Sequence, residues 1–368
     1  MTTRAFVYAG IMACGVWAHL APAQAVSFDL TAIAGDTLSA EQSAAFVTAA
    51  AAWSLALIDP VTVRIDIGFR DLGTTTGGAA VLGATGAAFG TVPYGNLVTG
   101  LTADATNAAD RMAVAHLPAT APSDRITLTF AQARAVGFAA ATASDGSIEF
   151  TSNSKIAFAA TRPELTSSNY DLIGVAEHEI GHLLGFQSAL DSGTTSRTAL
   201  DLFRYADLGT PGFTAGQAAY FSTDGGATSL GGFSVGGSGQ YQAGHWLLGT
   251  GGLMDPAVAM GMATNITGRD VLALDVVGWD VAVAEPASGS VLLAGLGVLG
   301  LWRMRLGQRT SQAMIAPRAE KAPRMMTARA APPCRVGPRT LRSMLSLDLG
   351  VGMVGGLREL RDDMGPVA

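Results

Sequence analysis

The chain has 368 residues and a formal net charge of −6, from 23 Lys and Arg against 29 Asp and Glu. The charge is uneven, because residues 1–302 carry 11 basic and 24 acidic side chains whereas residues 303–368 carry 12 and 5. Nucleic acid is excluded as a partner of the acidic part, since binding to phosphates needs a basic face.

The N-terminal segment is typical of a secretory signal. Arg4 is followed by an apolar stretch from Ala5 to Leu20, and Ala23-Gln-Ala25 has the small-x-small pattern of a cleavage site. We therefore predict a signal peptide over residues 1–25 and an exported bacterial protein that is secreted or held at the cell surface or outer envelope. A membrane anchor is disfavoured because the apolar stretch is short.

The next segment predicts a helix and a strand. Residues from Thr37 to Leu57 have apolar side chains at helical spacing, with Thr37 or Ser39 as the cap. From Val61 to Phe69 apolar and polar residues alternate, which predicts a strand.

A glycine-rich passage from Gly73 to Gly100 predicts loops with one or two short strands, for which Ala79 to Leu82 is the candidate position. It contains no phosphate-binding glycine motif, so a nucleotide site is excluded. We predict a helix from Ala103 to Leu117, which contains the structural histidine His116.

Strands are predicted at Ile126 to Phe130, Ser147 to Phe150 and Ile156 to Phe158. An edge strand placed just before the next helix would suit an extended peptide, which could add to the sheet as a further strand.

The principal motif is His178-Glu-Ile-Gly-His182, which has the pattern H-E-x-x-H. On a helix, residues i and i+4 share a face, so both imidazoles can bind one metal ion with Glu179 beside them. Apolar neighbours predict that helix, and Gly185 suits its C-terminal end. Its predicted N-terminal caps are Ser167, Ser168 and Asn169, with Asp171 in the first turn.

A catalytic zinc takes three protein ligands, so a third must come from elsewhere. No Glu occurs between Glu179 and Glu285, and position 188, where a nearby third ligand would lie, is Ser188. The remaining candidates are Asp191, Asp201, Asp207 and His245. The passage from Gln187 to Gly244 is rich in Gly, Ser and Thr and predicts a long loop region over a site.

His245-Trp246 is followed by Gly251-Gly-Leu-Met-Asp-Pro256 and by an apolar pattern from Asn265 to Trp279. With the H-E-x-x-H-x-x-G-F segment, this order resembles the leishmanolysin-type metzincin zinc proteases over roughly Glu177 to Asp280. The resemblance implies His178, His182 and His245 as zinc ligands, Glu179 as general base and Met254 as the residue of the Met-turn. Asp191 is the second choice for the third ligand.

The same resemblance implies an α+β fold in one metalloprotease domain, residues 26–282. Its N-terminal lobe, residues 26–169, would hold a mixed sheet with helices. Its C-terminal lobe, residues 170–282, would hold the active-site helix, a loop-rich part with the Met-turn and a final helix. The family's cysteines are absent, because Cys14 and Cys334 are the only cysteines of the chain and both lie outside this domain.

The predicted function is zinc-dependent cleavage of protein or peptide substrates, in which Glu179 takes a proton from zinc-activated water. The alternative is a surface or extracellular-matrix protein whose metal-binding domain does not cleave.

The C-terminal part resembles a PEP-CTERM sorting signal. Glu285-Pro286 precedes an apolar run from Ala287 to Trp302, and Arg303, Arg305 and Arg309 follow. The resemblance implies a transmembrane helix within residues 283–309, transient membrane association and a sorting peptidase as a partner. Such signals normally end a protein, yet residues 310–368 follow, and we predict that this tail is disordered.

Overall fold

The computed structural model describes residues 25–75, 78–237 and 241–282. The signal peptide predicted for residues 1–25 lies outside the described residues except for its last position. The sorting segment, residues 283–309, and the tail, residues 310–368, also lie outside them. Within the described part of the chain, no helix combines the length and the apolar character needed to cross a membrane.

The described residues form a mixture of helices and short strands. The helices are α1 (Ala40–Ala56), α2 (Tyr94–Asp104), α3 (Ala108–Ala115), α4 (Phe130–Ala135), α5 (Leu172–Leu183) and α6 (Gly268–Asp275). The strands are β1 (Ser27–Ala32), β2 (Thr62–Arg70), β3 (Gly83–Ala87), β4 (Phe89–Pro93), β5 (Arg125–Thr129), β6 (Gly146–Thr151), β7 (Phe158–Ala159), β8 (Tyr170–Asp171), β9 (Arg197–Thr198), β10 (Arg204–Asp207), β11 (Thr210–Pro211), β12 (Ala219–Phe221) and β13 (Gly231–Phe233).

The first sheet has the strand order β1-β2-β6-β3. β1, β2 and β6 are parallel, and β3 is antiparallel to β6 at one edge. The strand predicted from Val61 to Phe69 is confirmed as β2, and its alternating residues Val63, Ile65 and Ile67 are buried. Alternation places these side chains on one face of the sheet, where the core lies.

Helix α1 covers this sheet and confirms the helix predicted from Thr37 to Leu57. Ser39 caps it, because its side chain accepts from Gln42 N and the Gln42 side chain accepts from Ser39 N. Phe46 of α1 stacks on Phe150 of β6 with ring centroids 4.9 Å apart. The helix is therefore fixed to the sheet by aromatic packing as well as by its cap.

The one or two short strands predicted between Gly73 and Gly100 are present as β3 and β4, but the position around Ala79 to Leu82 is wrong, because β3 begins at Gly83. Residues 83–87 read Gly-Ala-Thr-Gly-Ala and carry none of the aromatic side chains that favour strands. Pairing with β6 holds the segment extended, in the register Gly83 opposite Phe150 to Ala87 opposite Gly146. This strand is thus defined by its neighbours and not by its own composition.

The single helix predicted from Ala103 to Leu117 is also wrong. α2 starts at Tyr94 within the predicted loop, and the helix breaks at residues 105–107. Asn107 caps α3, since its side chain accepts from Ala109 N and Asp110 N while the Asp110 side chain accepts from Asn107 N. An Asn with an acidic residue three positions later starts a new helix in preference to continuing the old one.

The strand predicted from Ser147 to Phe150 is confirmed as β6, and that from Ile126 to Phe130 as β5. The strand predicted at Ile156 to Phe158 is present as β7, which is shorter and begins only at Phe158. β6 lies inside its sheet between β2 and β3, and the edge strands of this sheet are β1 and β3.

The passage from Gln187 to Gly244 contains β9 to β13 and is therefore more ordered than the predicted loop region. One sheet has the order β11-β10-β12-β13, and another has the order β4-β5-β9. β9 pairs in parallel with β5, so one sheet joins residues on both sides of position 170. The implied final helix is present as α6.

One cluster of buried apolar side chains extends from Val26 to Trp279. The described chain is thus a mixed α and β structure with several sheets. Its division into the two lobes of a metzincin stays a prediction.

Candidate metal centre

Helix α5 carries the H-E-x-x-H motif and is buried along its whole length. It begins at Leu172, and Asp171 is its N-cap residue, so the predicted caps Ser167, Ser168 and Asn169 are wrong. The reason is that Tyr170 and Asp171 are extended and pair in parallel with β7, which delays the helix start. The predicted C-terminal end is confirmed, because Gly185 has φ +117°, a conformation that side chains disfavour.

Two buried tryptophans, one early and one late in the domain, donate hydrogen bonds to backbone carbonyls of α5 and its C-terminal end. The Nε1–H of Trp53 in α1 donates to Glu177 O at 2.9 Å. The Nε1–H of Trp279, after α6, donates to Leu184 O at 2.7 Å. The helix with the motif is thereby tied to both an early and a late element of the fold.

The structure brings His178, His182 and His245 together, and we refer to them as the histidine triad. Their nearest metal-binding atoms lie within 4.8 Å of one another. The Nε2 of His182 lies 2.9 Å from Nε2 of His178 and 3.2 Å from Nε2 of His245. The three side chains are 0–2% exposed.

The hydrogen bonds of the rings show which nitrogen carries the proton. Each Nδ1 of the triad faces a backbone carbonyl: His178 faces Leu253 O at 2.8 Å, His182 faces Phe186 O at 2.7 Å and His245 faces Gln242 O at 3.3 Å. A carbonyl only accepts, so each Nδ1 donates its hydrogen and each neutral ring leaves a lone pair on Nε2. Three lone pairs that point at one another repel unless a cation lies between them.

Burial keeps these rings neutral. It lowers the pKa of His178 to about 4 and that of His245 to about 3. Burial also lowers the pKa of His182 well below its ordinary value, and the two other rings lower it further. Neutral imidazole is the form that binds a metal, so the triad needs no deprotonation at neutral pH.

The triad fits a transition-metal ion. Tetrahedral zinc binds imidazole nitrogen at about 2.0–2.1 Å, which places two ligand nitrogens about 3.3 Å apart. The two measured Nε2 separations are slightly shorter than this value, so a small outward movement of the rings accommodates the ion. Imidazole nitrogen also binds copper, iron and nickel, so the donor set alone does not choose the metal.

Glu179 lies beside the triad on α5 and is 0% exposed. Its Oε2 accepts from the Thr85 hydroxyl of β3 at 2.7 Å. Its Oε1 has no hydrogen-bond partner among the described residues. Burial raises the pKa of Glu179 to about 8, and the Thr85 hydrogen bond opposes this change. A buried carboxylate oxygen that lacks a partner is suited to accept a proton from a water molecule.

Met254 is fully buried against α5. A Cβ added to Gly181, between the two histidines of the motif, would lie 2.7 Å from Met254 Sδ. The thioether therefore packs on the helix directly below the triad. This position agrees with the Met-turn role, which stays a prediction.

The three aspartates that were candidates for the third ligand lie elsewhere. Asp191 accepts from Gly237 N and Ala243 N, both at 2.6 Å. Asp201 accepts from Ser188 Oγ at 2.6 Å, and Asp207 accepts from the adjacent Leu208 N. None of the three joins the triad, whose third member is His245; ligation itself stays a prediction.

Two contacts of the site were not predicted. Thr85 is 94 residues from Glu179 and belongs to the strand that composition did not show. Asp270 accepts from backbone N–H groups beside Met254. The pattern Thr267-x-x-Asp270 could have indicated a helix cap, but not these longer-range contacts.

His116 is exposed at the end of α3, where its Nδ1 contacts Met112 O at 2.8 Å, and it is no member of the triad.

The chain matches no protein-family model, no curated protein and no solved structure. The case for a function therefore rests on the motif and on the geometry of the centre.

Proposed function

We propose that the chain is a secreted zinc-dependent endopeptidase. In this proposal His178, His182 and His245 bind zinc, and Glu179 acts as the general base in hydrolysis of a peptide bond. The observation that carries it is the convergence of three Nε2 lone pairs. Glu179 is next to His178 in α5, and its Oε1 has no partner among the described residues.

Zinc, when bound, would supply a Lewis acid that polarises a carbonyl and lowers the pKa of water. The chain supplies the other parts of the chemistry. The Thr85 hydroxyl holds Oε2 of Glu179 and leaves Oε1 free to accept a proton from the attacking water. Glu179 then returns this proton to the leaving amine.

The pKa of Glu179 is suited to this exchange. Burial, opposed by the Thr85 hydrogen bond, raises it to about 8, whereas a cation held by the triad would lower it by favouring the carboxylate. These two effects oppose one another and bring the pKa closer to neutrality. A general base works best when its pKa lies near the working pH.

The edge strand β3 supports a peptide as the substrate. It presents backbone N–H and C=O groups at the sheet edge, and the same strand carries Thr85 beside Glu179. An extended peptide that adds to this edge would run past the general base. We therefore assign the peptide-binding role expected of an edge strand to β3.

The burial of the centre favours a second candidate. Glu179 and the triad are 0–2% exposed, so substrate can reach them only if covering segments move. A closed three-histidine site would also suit a surface or matrix protein in which a metal stabilises a non-catalytic domain. In both proposals export, sorting by a peptidase and membrane association rest on residues outside the described part.

The two candidates are separated by metal content and proteolysis. The purified protein is analysed for zinc and tested for hydrolysis of casein, together with Glu179→Gln and the exposed control Glu164→Gln. The endopeptidase predicts about one zinc in all three proteins and hydrolysis that is lost only in Glu179→Gln, by roughly 100-fold or more.

Zinc without hydrolysis in the wild-type protein would instead support the non-catalytic domain. Absence of zinc from the wild-type protein after incubation with the metal would refute both candidates.

A further inference from the structure

The first turn of α6 carries a carboxylate that links two loops of the centre. Asp270 is fully buried. Its Oδ1 accepts from Trp246 Nε1 at 2.7 Å and contacts Met254 N at 3.4 Å. Its Oδ2 accepts from Leu253 N at 3.0 Å. One side chain thus contacts both the residue after His245 and the turn that contains Met254.

These contacts lead directly to two rings of the histidine triad. Leu253, whose N–H donates to Asp270, accepts the Nδ1–H of His178 with its own carbonyl. Trp246 follows His245 in the chain, and its backbone N–H donates to Met254 O at 2.9 Å. Asp270 therefore contacts the backbone at Leu253, whose carbonyl orients His178. It also contacts the side chain of Trp246, which is next to His245.

The indole of Trp246 packs against several side chains. Arg269 lies over the ring at 4.5 Å from its centroid, and Phe233 stacks with centroids 4.9 Å apart. The Nε1–H bond to Asp270 adds a directional contact to this packing. Asp270 also belongs to the cap of α6, because its Oδ2 accepts from Thr267 N at 2.8 Å and from Thr267 Oγ1 at 2.6 Å.

We propose that Asp270 is a positioning residue for the metal centre, which holds His178 and His245 in register for one metal ion. The proposal rests on the proposed function in that the triad must bind a metal. Outer contacts that orient metal-binding histidines contribute about 10- to 100-fold to metal affinity, which sets the expected effect.

The test compares Asp270→Asn with Asp275→Asn in the full protein. Asn has nearly the shape of Asp, but its NH2 group must face N–H donors whichever way the amide is turned. Asp275 is buried in the same helix and accepts from Asn107 Nδ2, and no hydrogen bond between it and the loops of the centre occurs among the described residues. We expect zinc affinity, measured by competition with a chromophoric chelator, to fall 10- to 100-fold in Asp270→Asn and less than 3-fold in Asp275→Asn.

A second arm needs no metal. In the metal-free protein, diethyl pyrocarbonate should modify the exposed His116 quickly and the buried His178 and His245 slowly, as read by mass spectrometry of peptides. Asp270→Asn should speed modification of His178 and His245 at least 5-fold, relative to His116, whereas Asp275→Asn should not.

The outcomes are distinguishable. If the wild-type protein binds no zinc, the proposed function fails, and the modification arm still decides whether Asp270 orients the rings. If both variants bind zinc equally and protect the rings equally, Asp270 only caps α6 and the proposal is overturned. Trp246→Phe adds a check, since it removes the Nε1–H donor together with part of the buried ring. Its effect on zinc affinity should largely disappear when Asp270→Asn is already present.

Discussion

Each ring of the histidine triad has a fixed tautomer because its Nδ1 donates to a backbone carbonyl. The carbonyls belong to Leu253, Phe186 and Gln242, so the metal-binding nitrogens depend on the backbone at three separate places. No charged partner is needed, and the rings stay neutral by burial. The centre is therefore built from neutral donors and keeps the full positive charge of any ion it binds.

At the residue scale, the choice between His245 and Asp191 as third ligand is testable. His245→Ala should lose zinc as severely as His182→Ala, by roughly 1,000-fold or more, because each removes one of three ligands. Asp191→Asn should lose far less zinc, at most the 10- to 100-fold expected of an outer contact, since Asp191 lies outside the triad and accepts from Gly237 N and from Ala243 N, whose peptide unit carries the Gln242 carbonyl that faces His245. Chelator competition measures all three affinities.

Retention of zinc in His245→Ala together with its loss in Asp191→Asn would reverse the assignment. The melting temperature of each metal-free variant serves as the control for folding.

At the element scale, α5 depends on two indole hydrogen bonds that differ in importance. Glu177 O, which accepts from Trp53, also lies four residues before Gly181 in the helix and so has a backbone partner. Leu184 O, which accepts from Trp279, lies past the last turn, where carbonyls lack such partners. We expect Trp279→Phe to lower the free energy of unfolding by about 2–3 kcal/mol and Trp53→Phe by about 1 kcal/mol.

Urea unfolding of the two variants beside the wild-type protein measures this difference. Equal losses, or a larger loss in Trp53→Phe, would contradict the argument from the helix end.

A helix or strand can be predicted from the sequence when the residues that determine it lie within it. β2 could be predicted because Val63, Ile65 and Ile67 alternate, and α1 because Ser39 and the apolar spacing both mark it. β3 could not be predicted, since its extended form depends on pairing with β6. Its first residue must also be small, because a Cβ added to Gly83 would lie 2.7 Å from Glu179 Oε1.

The same reasoning applies to the centre. His178, Glu179 and His182 lie within one helical turn, so spacing alone predicts that they lie together. His245 is 63 residues beyond His182, and spacing left it equal to three aspartates until a family pattern favoured it. Thr85 and Asp270 could not be found, because each contacts the centre only through folding of distant segments.

At the scale of the whole molecule, a group of carboxyls joins early and late parts of the chain. Asp59 follows α1, Asp104 ends α2 and Asp280 follows α6, and the three lie within 4.8 Å of one another. Burial, together with the charge of neighbouring carboxylates, raises the pKa of Asp59 to about 7 and that of Asp104 to about 8. These groups make folding sensitive to pH.

The sign follows from proton binding. Asp104 has an ordinary pKa of 3.8, so between about pH 4 and pH 8 the folded chain binds more protons at this site than the unfolded chain. Its stabilising contribution is present below pH 4 and is lost as the pH rises towards 8. We expect each such carboxyl to lower the free energy of unfolding by up to ~1.4 kcal/mol per pH unit in this range.

Urea unfolding of the metal-free protein from pH 5 to pH 8 tests the effect. Asp104→Asn should flatten the dependence, whereas Asn at the exposed Asp29 should leave it parallel to wild type. The triad is common to all three proteins, so its own titration cancels in the comparison. If the free energy of unfolding depends on pH in the same way in wild type and in Asp104→Asn, Asp104 has the same pKa in the folded and unfolded states and the prediction fails.

The distance in sequence between His182 and His245 has a consequence for the entropy of the unfolded chain. Residues 26–282 contain no cysteine, so no covalent link restricts the unfolded domain. An ion that joins His182 to His245 closes a loop of 63 residues, and such a closure costs a free chain roughly 4 kcal/mol. The metal-free fold already brings His182 and His245 together, so the loss of chain entropy is part of the free energy of folding. A metal would then act as a reversible cross-link. Its effect on the free energy of unfolding would increase with the concentration of free ion.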